Sequence, residues 1–191
     1  QKKGFISKNE LSSFGRNGTK LMSHVSSEVS GVEFSTGSLG HGLPFAVGKA
    51  LYAKNNNKKW KVYVLLSDGE LNEGSNWEAI QFASHHKLSN LTIMIDSNKE
   101  QSLGATKSII DLGNLKKKFQ TFNLNVIEID GHNLKEIEKS LLKNSPNKAN
   151  LIIFNTIKGK GVSFMENKTL WHYKSPNSED LANAKKELKV S

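Results

Sequence analysis

Two stretches of this sequence place oxygen-bearing side chains directly after short apolar runs. Asp68, Gly69 and Glu70 follow the apolar run 62–66, and Asn98 follows the apolar run 91–95. Runs of this length suit buried strands of a parallel sheet, and ligands of such sheets bind where the strands end. If the two strands are neighbours, a carboxylate and an amide oxygen meet at one edge. Those two groups suit a hard cation such as Mg²⁺ or Ca²⁺.

A simpler interpretation of Asp68-Gly69 is a turn that also caps a helix, which is the usual meaning of Asp-Gly. The second oxygen donor at Asn98 favours the cation site over the turn alone. The Gly69 amide and the helix expected to start near Gly74 would also suit a phosphate group, because helix N-termini attract anions.

The elements that must position these residues follow from the apolar periodicity. Strand patterns at 62–66, 91–95, 126–129 and 151–154 alternate with helical patterns at 74–87, 115–122 and from Asn133 onward. This order predicts an α/β fold, a parallel sheet with helices on both faces. A further helix follows the Gly-rich segment 35–42, and the last helix covers 178–188. We expect 15–30 and 97–108 to be loops, and Leu134, Ile137 and Leu141 to face inward.

Composition excludes several classes of protein. The 191 residues contain no cysteine, so disulfides and thiolate chemistry are absent, and no stretch is long and apolar enough for a membrane span. The net charge of +9 raises the alternative of a basic nucleic-acid-binding domain. The lysines are spread over presumed helix faces and loops, without the series of interleaved aromatic residues that a base-stacking surface requires. We therefore interpret the lysines mainly as solvated faces, which also favour anionic, phosphorylated ligands.

Five fragments in fixed order carry a resemblance to a known family. They are STGSLGHG at 35–42, SDGELNEGSNWE at 67–78, DSNKEQSLG at 96–104, TIKGKG at 156–161 and Trp171-His172. Together they resemble the thiamine diphosphate-binding domain of transketolases, and especially the amino-terminal subunits of split transketolases. The interval of thirty residues from Asp68 to Asn98 agrees with the thiamine motif of that family.

The resemblance implies a metal and cofactor site. It assigns Asp68 and Asn98 as side-chain ligands of Mg²⁺ or Ca²⁺, and the backbone carbonyl of Glu100 as a third ligand. It places the Gly69 and Glu70 amides against the diphosphate of thiamine diphosphate. Ser67 replaces the usual first glycine of this motif, at a position that is not a metal ligand.

The resemblance also implies roles outside the metal site. Gly37 and Leu39 match residues that touch the cofactor, whereas His24 and His172 match histidines that act on the sugar. His172 also lies near the diphosphate in the family pattern. Glu73 matches a glutamate buried at a subunit interface. We expect the remaining histidines to be structural or solvated, namely His41, His85, His86 and His132.

The activity implied is transfer of a two-carbon ketol unit from a ketose or its phosphate to an aldose or its phosphate. The glutamate that activates the cofactor comes from a pyrimidine-binding domain, which is a separate chain in split enzymes. We therefore expect a pyrimidine-domain partner subunit, self-association across a two-fold axis and a heterotetramer. We expect a cytoplasmic protein with neither nucleic-acid nor membrane partners.

The resemblance leaves alternatives open. Residues 1–191 are expected to form a single domain without the usual amino-terminal portion of the family, which supplies further substrate contacts. Another thiamine diphosphate reaction stays open, such as that of deoxyxylulose-phosphate synthase or of a 2-oxoacid decarboxylase. From a different class, the chain could be an assembly subunit that has lost turnover.

Overall fold

The computed structural model describes residues 1–190 as alternating helices and strands. The helices are α1 Lys8–Ser12, α2 Gly42–Asn55, α3 Gly74–His85, α4 Thr106–Ile109, α5 Leu115–Thr121, α6 Leu134–Leu142 and α7 Ser178–Leu188. The strands are β1 Val62–Ser67, β2 Leu91–Ser97, β3 Glu100–Gln101, β4 Gly104–Ala105, β5 Asn125–Asp130 and β6 Asn150–Asn155. Two one-turn 3₁₀ helices cover Gly69–Asn72 and Thr169–His172. Within residues 1–190, no helix combines the length and the apolar character needed to cross a bilayer.

Four parallel strands form the main sheet in the order β1-β2-β6-β5. In this register Ser67 lies opposite Asp96, and Ser97 lies opposite Asn155. The pairing of β1 with β2 continues beyond the strand end, because the Asp68 amide donates to the Asp96 carbonyl over 3.1 Å. The segments that follow β1, β2 and β6 therefore leave the sheet at the same edge.

The main core lies on one face of this sheet. Helices α2, α3 and α5 contribute to it together with alternate residues of the strands, among them Leu43, Ala50, Leu66, Ile80, Ile93, Ile95, Phe119, Leu151 and Ile153. Ile152 points to the opposite face and is also buried, whereas Leu65 of the edge strand β1 is 63% exposed. The predicted parallel α/β architecture is confirmed.

Two details differ from the sequence prediction. The predicted loop 97–108 contains the antiparallel pair β3 and β4 and the short helix α4. Leu134 does not face inward, since it is 79% exposed. A connection of only three residues, 131–133, separates β5 from α6. Leu134 is the first residue of α6 and directly follows this connection, whereas Ile137 and Leu141 further along the helix are partly buried.

Candidate functional site

The Asp68 carboxylate joins the turns that follow β1 and β2. It is only 2% exposed, and its two oxygens accept hydrogen bonds from different segments. Oδ1 accepts from the Gly69 amide at 2.8 Å, and Oδ2 accepts from the Lys99 amide at 2.7 Å. Burial raises the pKa of the Asp68 carboxyl above its usual range, against the opposing effect of the two amides, and nearby Asp96 adds to the rise.

Asn98 and Glu100 form the second half of this arrangement. Asn98 Oδ1 accepts from the Glu100 amide at 2.9 Å, which closes a short turn after β2. The structure thus brings Asp68, Asn98 and Glu100 into one pair of linked turns. It also places Glu70 there, buried at 9% exposure in the helical turn that follows Asp68.

These residues fit a divalent cation with an anionic ligand. Within residues 1–190, no three His, Asp or Glu side chains converge as a metal cage. One carboxylate, one amide oxygen and one backbone carbonyl leave further positions for phosphate oxygens and water, as Mg²⁺ commonly requires. Buried Gln101 Nε2 has no hydrogen-bond acceptor within that range, and its side chain packs against Gly69. A phosphate oxygen would supply that acceptor.

The two amides expected to meet the diphosphate have local acceptors in this structure. The Gly69 amide donates to Asp68, as described above, and the Glu70 amide donates to Ser67 Oγ at 3.0 Å. A bound phosphate would share or replace these acceptors. Their role toward the diphosphate stays a prediction.

The Gly-rich segment 35–42 is fixed against the turn after β1 through Gly40. The Gly40 amide donates to Glu70 Oε1 at 2.9 Å, and its carbonyl accepts from Ser75 Oγ at 2.7 Å. Gly40 has a φ of +82°, and a Cβ there would lie 2.5 Å from Ser75 Oγ. Both the backbone conformation and the close approach therefore require glycine.

His24 packs against the same segment. A Cβ on Gly37, which has a φ of +150°, would lie 2.6 Å from the His24 ring. The Thr36 amide also donates to the Val25 carbonyl at 3.2 Å. Leu39 is 50% exposed, so its side chain is free to contact a ligand. The structure thus packs His24 against Gly37, two residues that the family resemblance placed at the same site.

His172 lies at the end of the one-turn helix Thr169–His172 and is exposed. That helix is anchored by Trp171, whose Nε1 donates to the Phe164 carbonyl at 2.9 Å. Thr169 Oγ1 donates to the Glu100 carboxylate at 2.6 Å and so ties the helix to β3. Glu73 is exposed at the N-terminus of α3, and its side chain makes no hydrogen bond that caps this helix.

The other histidines differ among themselves. His132 has a definite structural contact, since its Nε2 accepts from the Ile157 amide at 2.8 Å and so links the turn after β5 to the TIKGKG loop. The rings of His85 and His86 meet edge to face, and His86 also packs on Phe82. His41 is the N-cap residue of α2, and its side chain makes no hydrogen bond to the helix.

Sequence reasoning missed three contributors to this region. The Glu70 carboxylate, the Gln101 amide and the Thr169 hydroxyl have partners or packing contacts that are distant in sequence. Thr169 and Glu100, for example, are 69 residues apart. No local pattern marks such side chains. Glu70 and Gln101 lie inside the motifs SDGELNEGSNWE and DSNKEQSLG, but those motifs do not indicate what the two side chains contact.

Comparison with known proteins identifies the family. The family model described as "Transketolase, thiamine diphosphate binding domain" matches residues 4–191. The chain belongs to this family. The resemblance carried by the five fragments is thereby confirmed.

Relatives of this transketolase domain include subunits of split enzymes. A subunit of the apulose-4-phosphate transketolase of Actinobacillus succinogenes is 44% identical over 188 residues, which are 97% of this chain and 68% of that protein. The 6-deoxy-6-sulfo-D-fructose transketolase subunit SqwG of a Clostridium species is 39% identical over 173 residues, which are 89% of this chain and 63% of that protein. These relatives are transferases by name.

A solved transketolase has the same fold. The crystal structure of the transketolase from Campylobacter jejuni superimposes with a TM-score of 0.88 at 31% identity, over 96% of this chain and 30% of that chain. This transketolase domain thus spans about two thirds of the subunit relatives and under a third of the long enzyme.

Proposed function

We propose that this chain is the cofactor-holding subunit of a split transketolase, and that the enzyme transfers a two-carbon ketol unit from a ketose or ketose phosphate to an aldose or aldose phosphate. One observation carries the proposal. In a chain of the thiamine diphosphate-binding family, the turns that contain Asp68 and Asn98 lie together at one sheet edge, joined by the hydrogen bond from the Lys99 amide to Asp68. Residues 1–191 act as one cofactor-binding domain.

The residues at this edge would hold the cofactor through a divalent cation. Asp68 and Asn98 supply side-chain oxygens and Glu100 a backbone carbonyl to Mg²⁺ or Ca²⁺, while the Gly69 and Glu70 amides face the diphosphate. Bound thiamine diphosphate supplies the nucleophilic carbon that carries the two-carbon unit. The burial of Asp68 supports the cation, because a buried carboxylate without a charge partner is costly.

Other residues of the chain act around the cofactor and the sugar. Gly37 and Leu39 contact the organic part of the cofactor, and their segment is held in place by the Glu70 carboxylate through Gly40. His24 and His172 hydrogen-bond the sugar hydroxyls and move protons, a task for which a histidine suits neutral pH. The packing of His24 on Gly37 supports its place beside the cofactor.

The donor sugar proposed for this enzyme carries an anionic group. The names of two relatives specify a sugar phosphate and a sulfo sugar, which are both anionic. The net charge of +9 and the basic TIKGKG loop, with Lys158 and Lys160, favour such a substrate electrostatically.

The proposed partner is a pyrimidine-domain subunit that supplies the activating glutamate. Two relatives that this chain covers over about two thirds of their length are named as transketolase subunits, which supports a two-chain enzyme. Two copies of each chain would form a heterotetramer, in which exposed Glu73 lies at the two-fold interface. We place the enzyme in the cytoplasm, without nucleic-acid or membrane partners.

Reconstitution tests this function. The chain and the pyrimidine-domain subunit encoded in the same genome are assayed separately and mixed, with thiamine diphosphate, Mg²⁺, a ketose phosphate donor and an aldose acceptor. We expect ketol transfer only from the mixture, and its loss when Mg²⁺ is removed by EDTA. Turnover by the chain alone would contradict the two-chain proposal. Cofactor binding without any ketol transfer would instead favour a different thiamine diphosphate reaction or an assembly role.

A further inference from the structure

The one-turn helix Thr169–His172 presents two polar side chains on the same side. A 3₁₀ helix has three residues per turn, so the side chains at positions i and i+3 project in the same direction. Thr169 and His172 stand in this relation. The Thr169 hydroxyl donates to Glu100 Oε2 at 2.6 Å, so the side of the helix that bears His172 is turned toward β3.

This hydrogen bond has no substitute between the two segments. Within residues 1–190, it is the only side-chain hydrogen bond that ties the 169–172 helix to residues 98–101. The contact of Trp171 with Phe164 anchors a different side of the helix, with ring centroids 5.3 Å apart. A 3₁₀ turn has poorer internal hydrogen-bond geometry than an α-helix and is held in place largely by contacts with its surroundings. Its orientation therefore depends on such contacts.

Glu100 connects this anchor to the proposed metal ligands. It follows Asn98 by two residues, and its amide donates to Asn98 Oδ1. We propose that Thr169 is a positioning residue: its hydrogen bond to the Glu100 carboxylate orients the 169–172 helix so that His172 faces the cofactor site. This inference rests on the proposed function of that site. It gives the Glu100 side chain a task separate from that of its backbone carbonyl.

Matched substitutions at Thr169 separate the hydroxyl from the shape of the side chain. Thr169→Val keeps the shape and removes the donor, whereas Thr169→Ser keeps the donor. The first readout is the ¹³C NMR signal of the His172 ring in the isolated chain labelled at its six histidines, assigned by its loss in His172→Gln. We expect Thr169→Val to shift or broaden this signal alone, and Thr169→Ser to leave it in place.

The second readout is kinetic, in the complex with the pyrimidine-domain subunit. Hydrogen bonds to charged groups are the stronger ones, so we expect Thr169→Val to lower kcat about tenfold while thiamine diphosphate affinity stays within about twofold. Thr169→Ser should remain near the wild-type kcat. This split separates positioning from general damage, which would lower affinity and thermal stability together with kcat.

Either of two results would overturn the inference. One is a Thr169→Val chain whose His172 signal matches the wild type. The other is a loss of kcat, cofactor affinity and thermal stability in parallel, which would indicate a merely structural role. A wild-type complex that binds no thiamine diphosphate would refute the proposed function instead, and the NMR comparison would still decide whether Thr169 orients His172.

Discussion

Asp68 holds its carboxylate in a place that is almost closed to solvent. Two backbone amides, those of Gly69 and Lys99, satisfy one lone pair on each oxygen, and they belong to the turns after β1 and β2. Amide dipoles offset only part of the cost of burying a charge, as the raised pKa of Asp68 indicates. A cation bound at the remaining lone pairs would remove that cost. Asp68 therefore joins the turns after β1 and β2 and also offers oxygen lone pairs to a cation.

The metal-free chain should lose the stabilising contribution of Asp68 as pH rises. Because its folded pKa lies above the unfolded value, the native state keeps a proton that the unfolded chain releases first. Stability then declines with rising pH across the interval between those two values. Melting temperatures of wild type and Asp68→Ala in EDTA, from about pH 4 to about pH 7, measure this. The wild-type advantage should shrink toward neutral pH.

The control for this series is Asp111→Ala, which removes an exposed carboxylate. Its difference from wild type should not follow the same trend. An advantage of wild type over Asp68→Ala that grows with pH would contradict the burial argument.

Single residues of this site were predictable to different degrees. Asp68 and Asn98 follow apolar strand patterns, so their position at a sheet edge follows from sequence order alone. The hydrogen bond between the Glu70 carboxylate and the Gly40 amide was not predictable, because the two residues lie 30 positions apart in the sequence. A sequence shows that a polar side chain is present, but it does not show which distant backbone group that side chain will satisfy.

At the scale of elements, the Gly-rich segment 35–42 and the turn after β1 behave as one unit. Both backbone polar groups of Gly40 have side-chain partners: Glu70, in the one-turn helix before α3, and Ser75, in the first turn of α3. The segment that packs on His24 is thereby fixed to the turn that carries Asp68. Two glycines in and beside α2 allow a test of this connection.

Gly40→Ala should destabilise the chain by about 1–3 kcal/mol, since alanine is strained at a positive φ and its Cβ would contact Ser75 and Glu73. Gly48→Ala is the matched control, because Gly48 lies inside α2 with open space around its Cβ position. That change should stabilise by about 0.5–1 kcal/mol, as glycine is a poor helix former. Urea unfolding measures both. A Gly40→Ala chain as stable as wild type would contradict this connection between the Gly-rich segment and the turn after β1.

The longer elements follow from sequence periodicity, and the shorter ones do not. The four strands of the main sheet and helix α7 agree with their predicted positions to within about two residues, a usual margin for element ends. Strands β3 and β4 have two residues each, too few to show an alternation of apolar and polar residues in the sequence. The outward position of Leu134 depends on where α6 starts relative to the sheet, and periodicity carries no such information.

At the scale of the whole molecule, the strand order β1-β2-β6-β5 decides which loops meet. Sequence order predicts parallel strands but not that β6 inserts between β2 and β5. This insertion places the TIKGKG loop beside the turn after β2, where the Thr156 hydroxyl bonds Asp96. Glu73 is exposed beside Gly40, at a surface that the proposed two-fold assembly would cover.

Glu73→Ala should weaken assembly more than it weakens cofactor binding. Glu73 makes no cap hydrogen bond to α3, so its loss leaves the helix largely intact. Sedimentation equilibrium should show a dissociation constant raised about tenfold, equivalent to about 1.4 kcal/mol. Glu138→Ala, an exposed glutamate of α6, is the control and should assemble as wild type does. An unchanged sedimentation profile for Glu73→Ala would count against its interface role.

Calorimetric titration of thiamine diphosphate into the complex with the pyrimidine-domain subunit, in the presence of Mg²⁺, tests the account most directly. Wild type and Asp111→Ala should bind equally. Asp68→Ala should lose at least about a hundredfold in affinity, because even the partners of metal ligands cost tenfold to a hundredfold when removed. Binding by Asp68→Ala that equals the wild type, or wild-type binding that persists without Mg²⁺, would contradict the assignment of Asp68 as the residue that holds the metal and, through it, the cofactor.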